Sequence, residues 1–157
     1  MTSQSHPIIS HRITVQSPAA QRVLIVDDEP AILFAYRKLI EKEGLGVDIS
    51  TCLETALSYI GSCRYLAVIA DMRLTGSDNE DGLEFLRVLR LACPATRTII
   101  ATGNGSVEME AAARALGVTY YFEKPVQPAV IMSALKSFSR PPPAECRPGN
   151  GPCDARP

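Results

Sequence analysis

The sequence predicts an α/β protein built on a doubly wound parallel sheet. Short apolar runs rich in valine and isoleucine alternate along residues 21–139 with longer segments of helical spacing, which indicates parallel strands joined by crossover helices. In VLIV (23–26) and LAVIA (66–70) the apolar residues are consecutive rather than alternate, as expected for strands that are covered on both faces. A chain of 157 residues is long enough for one such domain.

Strands and helices are predicted in strict alternation. The strands lie at 23–26, 46–50, 66–70, 96–101 and 118–122, and the helices at 30–43, 53–61, 81–92, 106–116 and 127–138. Pro30 fits a first helical turn, and Asp81 can cap the third helix. Gly44 and Gly117 suit helix ends that need a left-handed residue. Because crossovers are right-handed, we expect the functional crevice beyond the carboxyl ends of the strands.

Composition excludes several functional classes. The chain is 46% hydrophobic, 21% charged and has a formal net charge of -1, and no apolar run approaches the roughly 18 residues of a membrane span. The first residues lack the pattern of a signal peptide, so a cytoplasmic location is expected. Residues 1–20 and the Pro/Gly-rich residues 140–157 are predicted to be mobile and disordered segments beside the domain. Scattered lysine and arginine provide no basic patch for nucleic acid or a membrane surface.

Acidic residues follow two of the predicted strands. Asp27, Asp28 and Glu29 come directly after the first strand, and Asp71 comes directly after the third. If these strands are neighbours, the carboxylates converge on one crevice, where crowded negative charge favours a cation. Carboxylate oxygens suit magnesium. From these residues alone, a second interpretation remains open, in which Asp27 and Asp28 only cap the first helix.

The ends of the fourth and fifth strands favour the cation site. Thr102 stands at the end of the fourth predicted strand, and Lys124 stands just after the fifth. A hydroxyl and an ammonium are therefore predicted to face the carboxylates. Lys124 can neutralise one oxygen of a phosphoryl group and Thr102 can donate a hydrogen bond to another. A surface lysine and a turn threonine are the alternatives for each residue alone, but the agreement of all these strand ends favours a single site.

These motifs resemble those of the receiver domains of two-component response regulators. VLIVDDEP (23–30), Asp71, ATGNGSV (101–107) and EKPV (123–126) follow the order of the family, and the resemblance covers residues 21–139. The TGNGSV stretch is most similar to receivers of the nitrogen-regulatory and nitrogen-fixation type. The resemblance implies a flavodoxin-like (βα)5 three-layer sandwich with strand order 2-1-3-4-5.

The resemblance also implies residue roles at the acidic site. Asp71 is expected to be the phosphoacceptor, Asp28 a direct ligand of Mg²⁺ or Mn²⁺, and Asp27 a second acid that acts through water. The backbone carbonyl of Arg73 is expected to face the metal. The side chains of Arg73 and Asn104 occupy the positions that border the path of the hydrolytic water, so we expect them to tune the lifetime of the phosphorylated state.

Further roles follow for the residues near the fourth and fifth strands. Thr102 is expected to move toward the phosphoryl group together with Tyr121, the aromatic residue three positions before Lys124, which then turns inward. A sheet-edge aromatic without a switch role is the alternative for Tyr121, and Tyr120 is expected in the core. The bond between Lys124 and Pro125 is expected to be cis, an isomer found essentially only before proline.

The chain departs from the family pattern after the acceptor and on the first helix. The loop within residues 74–81 is longer than usual, with Thr75 in place of proline; a role in metal affinity, shielding or partner choice and simple surface padding all remain open. Leu33 and Phe34 are predicted to point outward beside the site and to help select the phosphodonor, with packing against residues 1–20 as the alternative. The inward face of this helix is predicted to consist of Ile32, Tyr36, Leu39 and Ile40.

The expected function is that of a phosphoacceptor switch rather than an enzyme. The donor would be a sensor histidine kinase or a histidine phosphotransfer protein. Stand-alone output is expected through a downstream protein, because no DNA-binding helix pair fits after the last helix, and a homodimer is a further option. Two alternatives are a pseudo-receiver that binds partners without phosphorylation and an aspartyl-phosphate phosphatase of the haloacid-dehalogenase type. The phosphatase would need an acid where Arg73 stands.

Overall fold

The computed structural model describes residues 21–62, 64–73 and 79–139, with the side chains of Asn79 and Ser139 left out. Both terminal segments that the sequence predicts to be mobile, residues 1–20 and 140–157, lie outside this description. Residues 74–78 of the longer loop also lie outside it. Across the described part of the chain, no helix combines the length and the apolar character needed to cross a bilayer.

Strands and helices alternate through the described residues. The strands are β1 Arg22–Val26, β2 Gly46–Ser50, β3 Ala67–Ala70, β4 Arg97–Thr102 and β5 Tyr120–Glu123, and the helices are α1 Pro30–Lys42, α2 Leu53–Ser62, α3 Asn79–Ala92, α4 Val107–Ala115 and α5 Pro128–Ser139. All strand pairs are parallel, and the order is β2-β1-β3-β4-β5. The predicted doubly wound, flavodoxin-like class and the strand order are confirmed.

Helices cover both faces of the sheet and divide the core into two clusters. Helices α1 and α5 pack on one face, and α2, α3 and α4 pack on the other. Along β1, Val23 and Ile25 point toward the first face, whereas Leu24 and Val26 point toward the second. All of these side chains are at most 1% exposed. Burial on both faces therefore explains why the strand is an unbroken apolar run.

The helix ends follow the sequence signals in most places. Pro30 occupies the first turn of α1, and Gly44 and Gly117 adopt φ values of 80° and 88°, which confirms their left-handed conformation. Asp81 was predicted to cap α3, and this is wrong: α3 begins at Asn79, so Asp81 stands inside the first turn. A carboxylate there still interacts favourably with the positive end of the helix dipole. The longer loop therefore ends before Asn79.

The predicted outward orientation of Leu33 is wrong. Leu33 is 3% exposed and, with Tyr36 and Ile40, forms the buried stripe of α1. These positions are spaced by three and four residues, so they share one helical face, and that face is rotated toward Leu33 relative to the prediction. Phe34 does point outward, with 64% of its surface exposed and the ammonium of Lys38 5.5 Å from its ring centre.

An ion pair connects β1 and β2 at the end of the sheet opposite to the carboxyl ends of the strands. Nε of Arg22 donates a 2.8 Å hydrogen bond to Oδ2 of Asp48, and the hydroxyl of Tyr65 donates to the same oxygen at 2.9 Å. The hydrogen bond from Arg22 is the main reason why the pKa of Asp48 lies below its usual value, although partial burial opposes the shift.

Candidate functional site

The backbone ladder positions the residues that follow the strands. The N–H of Asp27 donates to the last carbonyl of β2 at 3.1 Å, and the N–H of Asp71 donates to the last carbonyl of β1 at 2.9 Å. The N–H of Lys124 likewise donates to the last carbonyl of β4 at 2.8 Å. Each of the three residues is therefore held in register one step beyond its strand, at the same edge of the sheet.

Lys124 lies between two buried carboxylates. Its Nζ donates to Oδ2 of Asp27 and to Oδ2 of Asp71, both at 2.9 Å, and the two carboxylate side chains are only 6% and 8% exposed. The other oxygen of each carboxylate accepts a backbone N–H two residues later, from Glu29 and from Arg73, both at 2.9 Å. Both carboxylates are thus oriented by a short turn on one side and by the ammonium on the other.

A third carboxylate completes an acidic cluster. Asp27, Asp28 and Asp71 each offer an oxygen within 4.8 Å of the others, and Asp28 is exposed, so the cluster is open to solvent at that side. Burial lowers the pKa of Lys124, but its hydrogen bonds to the two buried carboxylates outweigh burial and raise that pKa above its usual value. Lys124 is therefore charged at neutral pH, yet the cluster retains excess negative charge. These oxygen donors suit Mg²⁺.

Thr102 and Arg73 border the cluster from neighbouring strand ends. Thr102 is 1% exposed, and its hydroxyl oxygen accepts the N–H of Asn104 at 3.5 Å. The Arg73 side chain is exposed and extends toward the loop after β4, because a methyl group added at Gly103 would lie 3.7 Å from Nη1 of Arg73. The guanidinium therefore spans the space between the loop after β3 and the loop after β4.

Tyr120 and Tyr121 lie on opposite faces of β5. Tyr121 is 8% exposed in the cluster under α2, α3 and α4, and its hydroxyl has no hydrogen-bond partner among the described residues. Burial first, and then the nearby carboxylates of Glu110 and Glu123, raise the pKa of Tyr121. Tyr120 is half-buried against the other cluster, as predicted for a core residue, and stacks on Phe122 with ring centres 5.9 Å apart.

Two glycines at the site were not singled out from the sequence. A methyl group at Gly82 would lie 2.8 Å from Cε and 3.1 Å from the carbonyl oxygen of Met72, the residue after the predicted phosphoacceptor. A methyl group at Gly105 would lie 3.1 Å from the hydroxyl oxygen of Tyr121. The sequence signal for Gly105 is its place within the TGNGSV stretch, and the signal for Gly82 is a glycine near the start of the third helix. The sequence does not reveal how close these contacts are, because each one joins two elements that are separate in the chain.

The structure brings most of the predicted site residues together. Asp27, Asp28, Asp71 and Lys124 form the cluster, and the predicted cis bond before Pro125 is confirmed. Thr102 and Arg73 stand at its border, as described above. Phe34 lies apart from these contacts on the exposed side of α1, and Leu33 is removed from the predicted surface by its burial.

Sequence comparisons place this geometry among known proteins. Residues 23–136 match the family described as the response regulator receiver domain. The photosynthetic apparatus regulatory protein RegA of Rhodobacter capsulatus is 30% identical over 125 residues, which are 78% of this chain and 66% of RegA. The nitrogen assimilation regulatory protein NtrX of Azorhizobium caulinodans is 33% identical over 106 residues, which are 68% of this chain and 23% of NtrX. The chain thus spans slightly less than two thirds of RegA and under a quarter of NtrX.

A solved structure shows the same fold. The CheY-like response regulator receiver domain protein from Methanospirillum hungatei JF-1 superimposes with a TM-score of 0.70 at 28% identity. The match covers 76% of this chain and 93% of that protein. The similarity to NtrX agrees with the resemblance of the TGNGSV stretch to receivers of the nitrogen-regulatory type.

Proposed function

Because the chain belongs to the response regulator receiver domain family, we propose that Asp71 accepts a phosphoryl group from a phosphohistidine, with Mg²⁺ or Mn²⁺ bound beside it. Receiver domains act in two-component signalling as phosphoacceptor switches rather than as conventional enzymes. The observation that carries the proposal is the position of Lys124, whose ammonium contacts Asp27 and Asp71 at 2.9 Å while Asp28 lies within the same cluster.

The proposed chemical step is an in-line displacement. A carboxylate oxygen of Asp71 attacks phosphorus, the new P–O bond forms, and the P–N bond to the donor imidazole breaks with its electron pair leaving on nitrogen. The turn in which Asp71 accepts the N–H of Arg73 supports this role, because it limits the orientations of the carboxylate. Hydrolysis of the aspartyl phosphate by water then returns the domain to its starting state.

The residues that would hold the metal ion are Asp27, Asp28, Asp71 and the backbone carbonyl of Arg73. Their fit rests on three carboxylates whose oxygens lie within 4.8 Å of one another. When bound, the divalent cation would supply positive charge for the oxygens of the transferred group. We propose that Asp28 binds it directly and that Asp27 acts through water, which agrees with the exposure of Asp28 and the engagement of Asp27 by Lys124.

Thr102 and Lys124 would bind the oxygens of the aspartyl phosphate. The ammonium of Lys124 already contacts Oδ2 of Asp71, so little movement is needed to reach a phosphoryl oxygen on that carboxylate. Phosphorylation adds roughly 1.5 to 2 negative charges at neutral pH. We propose that Thr102 moves toward this charge and that Tyr121, which lines the core next to the β4–α4 loop, responds as the switch residue.

Arg73 and Asn104 are proposed to tune the lifetime of the aspartyl phosphate. Arg73 reaches from the loop after β3 toward Gly103, and Asn104 is exposed on the loop after β4, so both side chains are available at the mouth of the site. A guanidinium at the mouth can pair with phosphoryl oxygens and limit the approach of water. We expect a changed dephosphorylation rate in Arg73→Ala and in Asn104→Ala; unchanged rates would remove this assignment.

We propose that Phe34 forms part of the docking surface for the phosphodonor. Receiver domains interact with sensor histidine kinases or histidine phosphotransfer proteins. Phe34 is a large apolar side chain that is 64% exposed on α1, the helix that begins directly after the acidic residues that follow β1. An exposed aromatic side chain on the helix that begins at the acidic site favours a partner surface. Leu33 is not part of this proposal because it is buried.

Output is proposed to occur through protein contacts of the receiver domain, residues 21–139. The face formed by α4, β5 and α5 contains Tyr121 and two exposed apolar residues, Val107 and Val130, which are 81% and 43% exposed. A downstream protein or a second copy of the chain could recognise this face.

The experiment that tests the phosphoacceptor assignment is intact-mass measurement after incubation with acetyl phosphate and Mg²⁺. We expect one phosphoryl adduct on the wild type and none on Asp71→Asn. Asp81→Asn is the matched control, because Asp81 is an exposed carboxylate in the first turn of α3, and its adduct should equal that of the wild type. An adduct that persists in Asp71→Asn, or its absence from the wild type, would overturn the proposal.

A further inference from the structure

Gly105, in the loop between β4 and α4, lies against the side chains of two β5 residues. A methyl group at this position would be 3.1 Å from the hydroxyl oxygen of Tyr121, 2.8 Å from Oε1 of Glu123 and 3.2 Å from Cγ of Glu123. These separations are shorter than normal contacts between carbon and its neighbours. The close approach of the loop to β5 therefore depends on the absence of a side chain at Gly105.

The two neighbours of Gly105 differ in their freedom to move. Glu123 is exposed, so its carboxylate can swing into solvent without disturbing the core. The Tyr121 ring is packed in the cluster under α2, α3 and α4 and is only 8% exposed. A methyl group 3.1 Å from its hydroxyl oxygen asks the ring to give way by a few tenths of an ångström. Because a close-packed interior yields little and side chains occupy discrete rotamers, Tyr121 can do so only by displacing its neighbours or by changing rotamer.

The inward position of Tyr121 is not secured by a hydrogen bond. Its hydroxyl is buried and lacks a partner among the described residues. Burial of an unpaired hydroxyl is unfavourable, so packing alone must hold the ring inside. An inward state held in this way is sensitive to small steric changes at the hydroxyl, and a methyl group at Gly105 would lie 3.1 Å from that oxygen.

We infer that the missing side chain at Gly105 controls the position of the Tyr121 ring, so that Gly105 is a positioning residue for the switch. The meaning of this control for signalling rests on the proposed function. The steric relation between Gly105 and Tyr121 concerns the unphosphorylated protein and is measured without any phosphodonor.

The test is fluorine NMR of the full chain labelled with 3-fluorotyrosine, with Tyr121→Phe used to assign the Tyr121 signal. In Gly105→Ala we expect this signal to shift toward that of an exposed tyrosine, with a several-fold stronger relaxation by a dissolved paramagnetic agent. Gly103→Ala is the matched control. It lies in the same loop, where a methyl group meets only Nη1 of Arg73 at 3.7 Å, and neither glycine has a positive φ.

A rescue variant separates positioning from a general loss of structure. Phenylalanine at position 121 lacks the hydroxyl that the methyl group would meet, so Gly105→Ala should shift the urea midpoint in the tyrosine background and leave it nearly unchanged in Tyr121→Phe. An unchanged Tyr121 signal in Gly105→Ala, an equal shift in Gly103→Ala, or an equal change of midpoint in both backgrounds would overturn the inference.

The outcomes also distinguish this inference from the proposed function. If acetyl phosphate gives no adduct on the wild type, the phosphoacceptor assignment fails, while the fluorine signal still reports on the contact between Gly105 and Tyr121. If the adduct forms in the wild type and in Gly105→Ala but the Tyr121 signal does not respond to the alanine, only the inference fails.

Discussion

Replacement of Lys124 by methionine removes the one ammonium that lies between two buried carboxylates of the described site. Each contact, to Asp27 and to Asp71, measures 2.9 Å between nitrogen and oxygen. At an effective dielectric constant of about 20, each charge pair at this distance is worth about 6 kcal/mol before desolvation is subtracted. Burial of the ammonium opposes the attraction, yet the pKa of Lys124 remains raised, so the net interaction favours the charged form.

We expect Lys124→Met to lower the free energy of unfolding by about 3 kcal/mol in the presence of a chelator. Loss of one partner from a buried ion pair costs about 3 to 5 kcal/mol, and the lower end applies because the lysine side chain is 21% exposed. Urea unfolding at neutral pH measures the change. Saturating Mg²⁺ should stabilise the variant more than the wild type, because the cation compensates the excess carboxylate charge.

Lys136→Met is the control for this experiment. Lys136 forms an ion pair with Glu43 at 3.0 Å, but its side chain is 58% exposed. Such surface pairs contribute about 0 to 1 kcal/mol, and Lys136 lies outside the acidic cluster. Its replacement should therefore change the stability little and leave the response to Mg²⁺ unaltered.

The pH dependence of the Lys124 effect has a definite sign. Because the folded-state pKa is raised, the stabilisation is fully present below the unfolded-state pKa of about 10.4 and is lost as the pH rises through the higher folded-state pKa. The difference between Lys124→Met and wild type should persist from neutral pH to about pH 10 and then narrow. A loss below about 1 kcal/mol in chelator, or equal stabilisation of both proteins by Mg²⁺, would refute the reasoning.

Three further predictions are accessible by urea unfolding. Gly82→Ala should lower the free energy of unfolding by about 1 to 3 kcal/mol, because the added methyl group meets Met72. Gly61→Ala is the control: its methyl group lies in open space within α2, so it should raise the free energy of unfolding by up to about 1 kcal/mol. Equal effects of the two variants would contradict the contact with Met72. Asp48→Asn should cost about 1 kcal/mol at neutral pH. The hydrogen bond from Arg22 holds the pKa of Asp48 low, so its stabilisation is fully present above the unfolded-state pKa and is lost as the pH falls through the lower folded-state pKa. The stability difference between Asp48→Asn and wild type should therefore disappear in acid. A difference that persists in acid would contradict this prediction. Leu33→Ala should lower the free energy of unfolding by about 2 to 5 kcal/mol, because Leu33 is buried. Phe34→Ala should lower it by less than about 0.5 kcal/mol, because Phe34 is exposed, but should slow phosphotransfer from the cognate donor. A larger loss of stability in Phe34→Ala than in Leu33→Ala would contradict this assignment.

The fold was predictable because its strands are covered on both faces. Continuous apolar runs and helix-end glycines are local signals, and the strands and helices follow them closely. The cluster of Asp27, Asp71 and Lys124 was predictable for a topological reason, since carboxyl ends of parallel strands meet at one edge of a sheet. Their separations of 2.9 Å were not, because they depend on how the strands pack.

Other features depend on tertiary contacts that the sequence pattern does not carry. Ile32 and Leu33 are both apolar, so the pattern leaves the rotation of α1 open, and packing against the sheet decides it in favour of Leu33. Likewise, α3 begins at Asn79, before the residue that the sequence suggested as its cap, Asp81. The contact at Gly105 joins a loop to a later strand and leaves no periodic signal.

The two faces of β5 make contacts with different helices. On the α5 side, the ring of Tyr120 packs against Phe138 with centres 5.7 Å apart, and its hydroxyl lies 3.2 Å from that of Ser137. These contacts attach the edge strand to α5 independently of the side chain at position 121. The proposed rearrangement of Tyr121 would therefore change the surface of the domain while β5 stays attached to α5. The signalling state could change in this way without a loss of the contacts that stabilise the sheet.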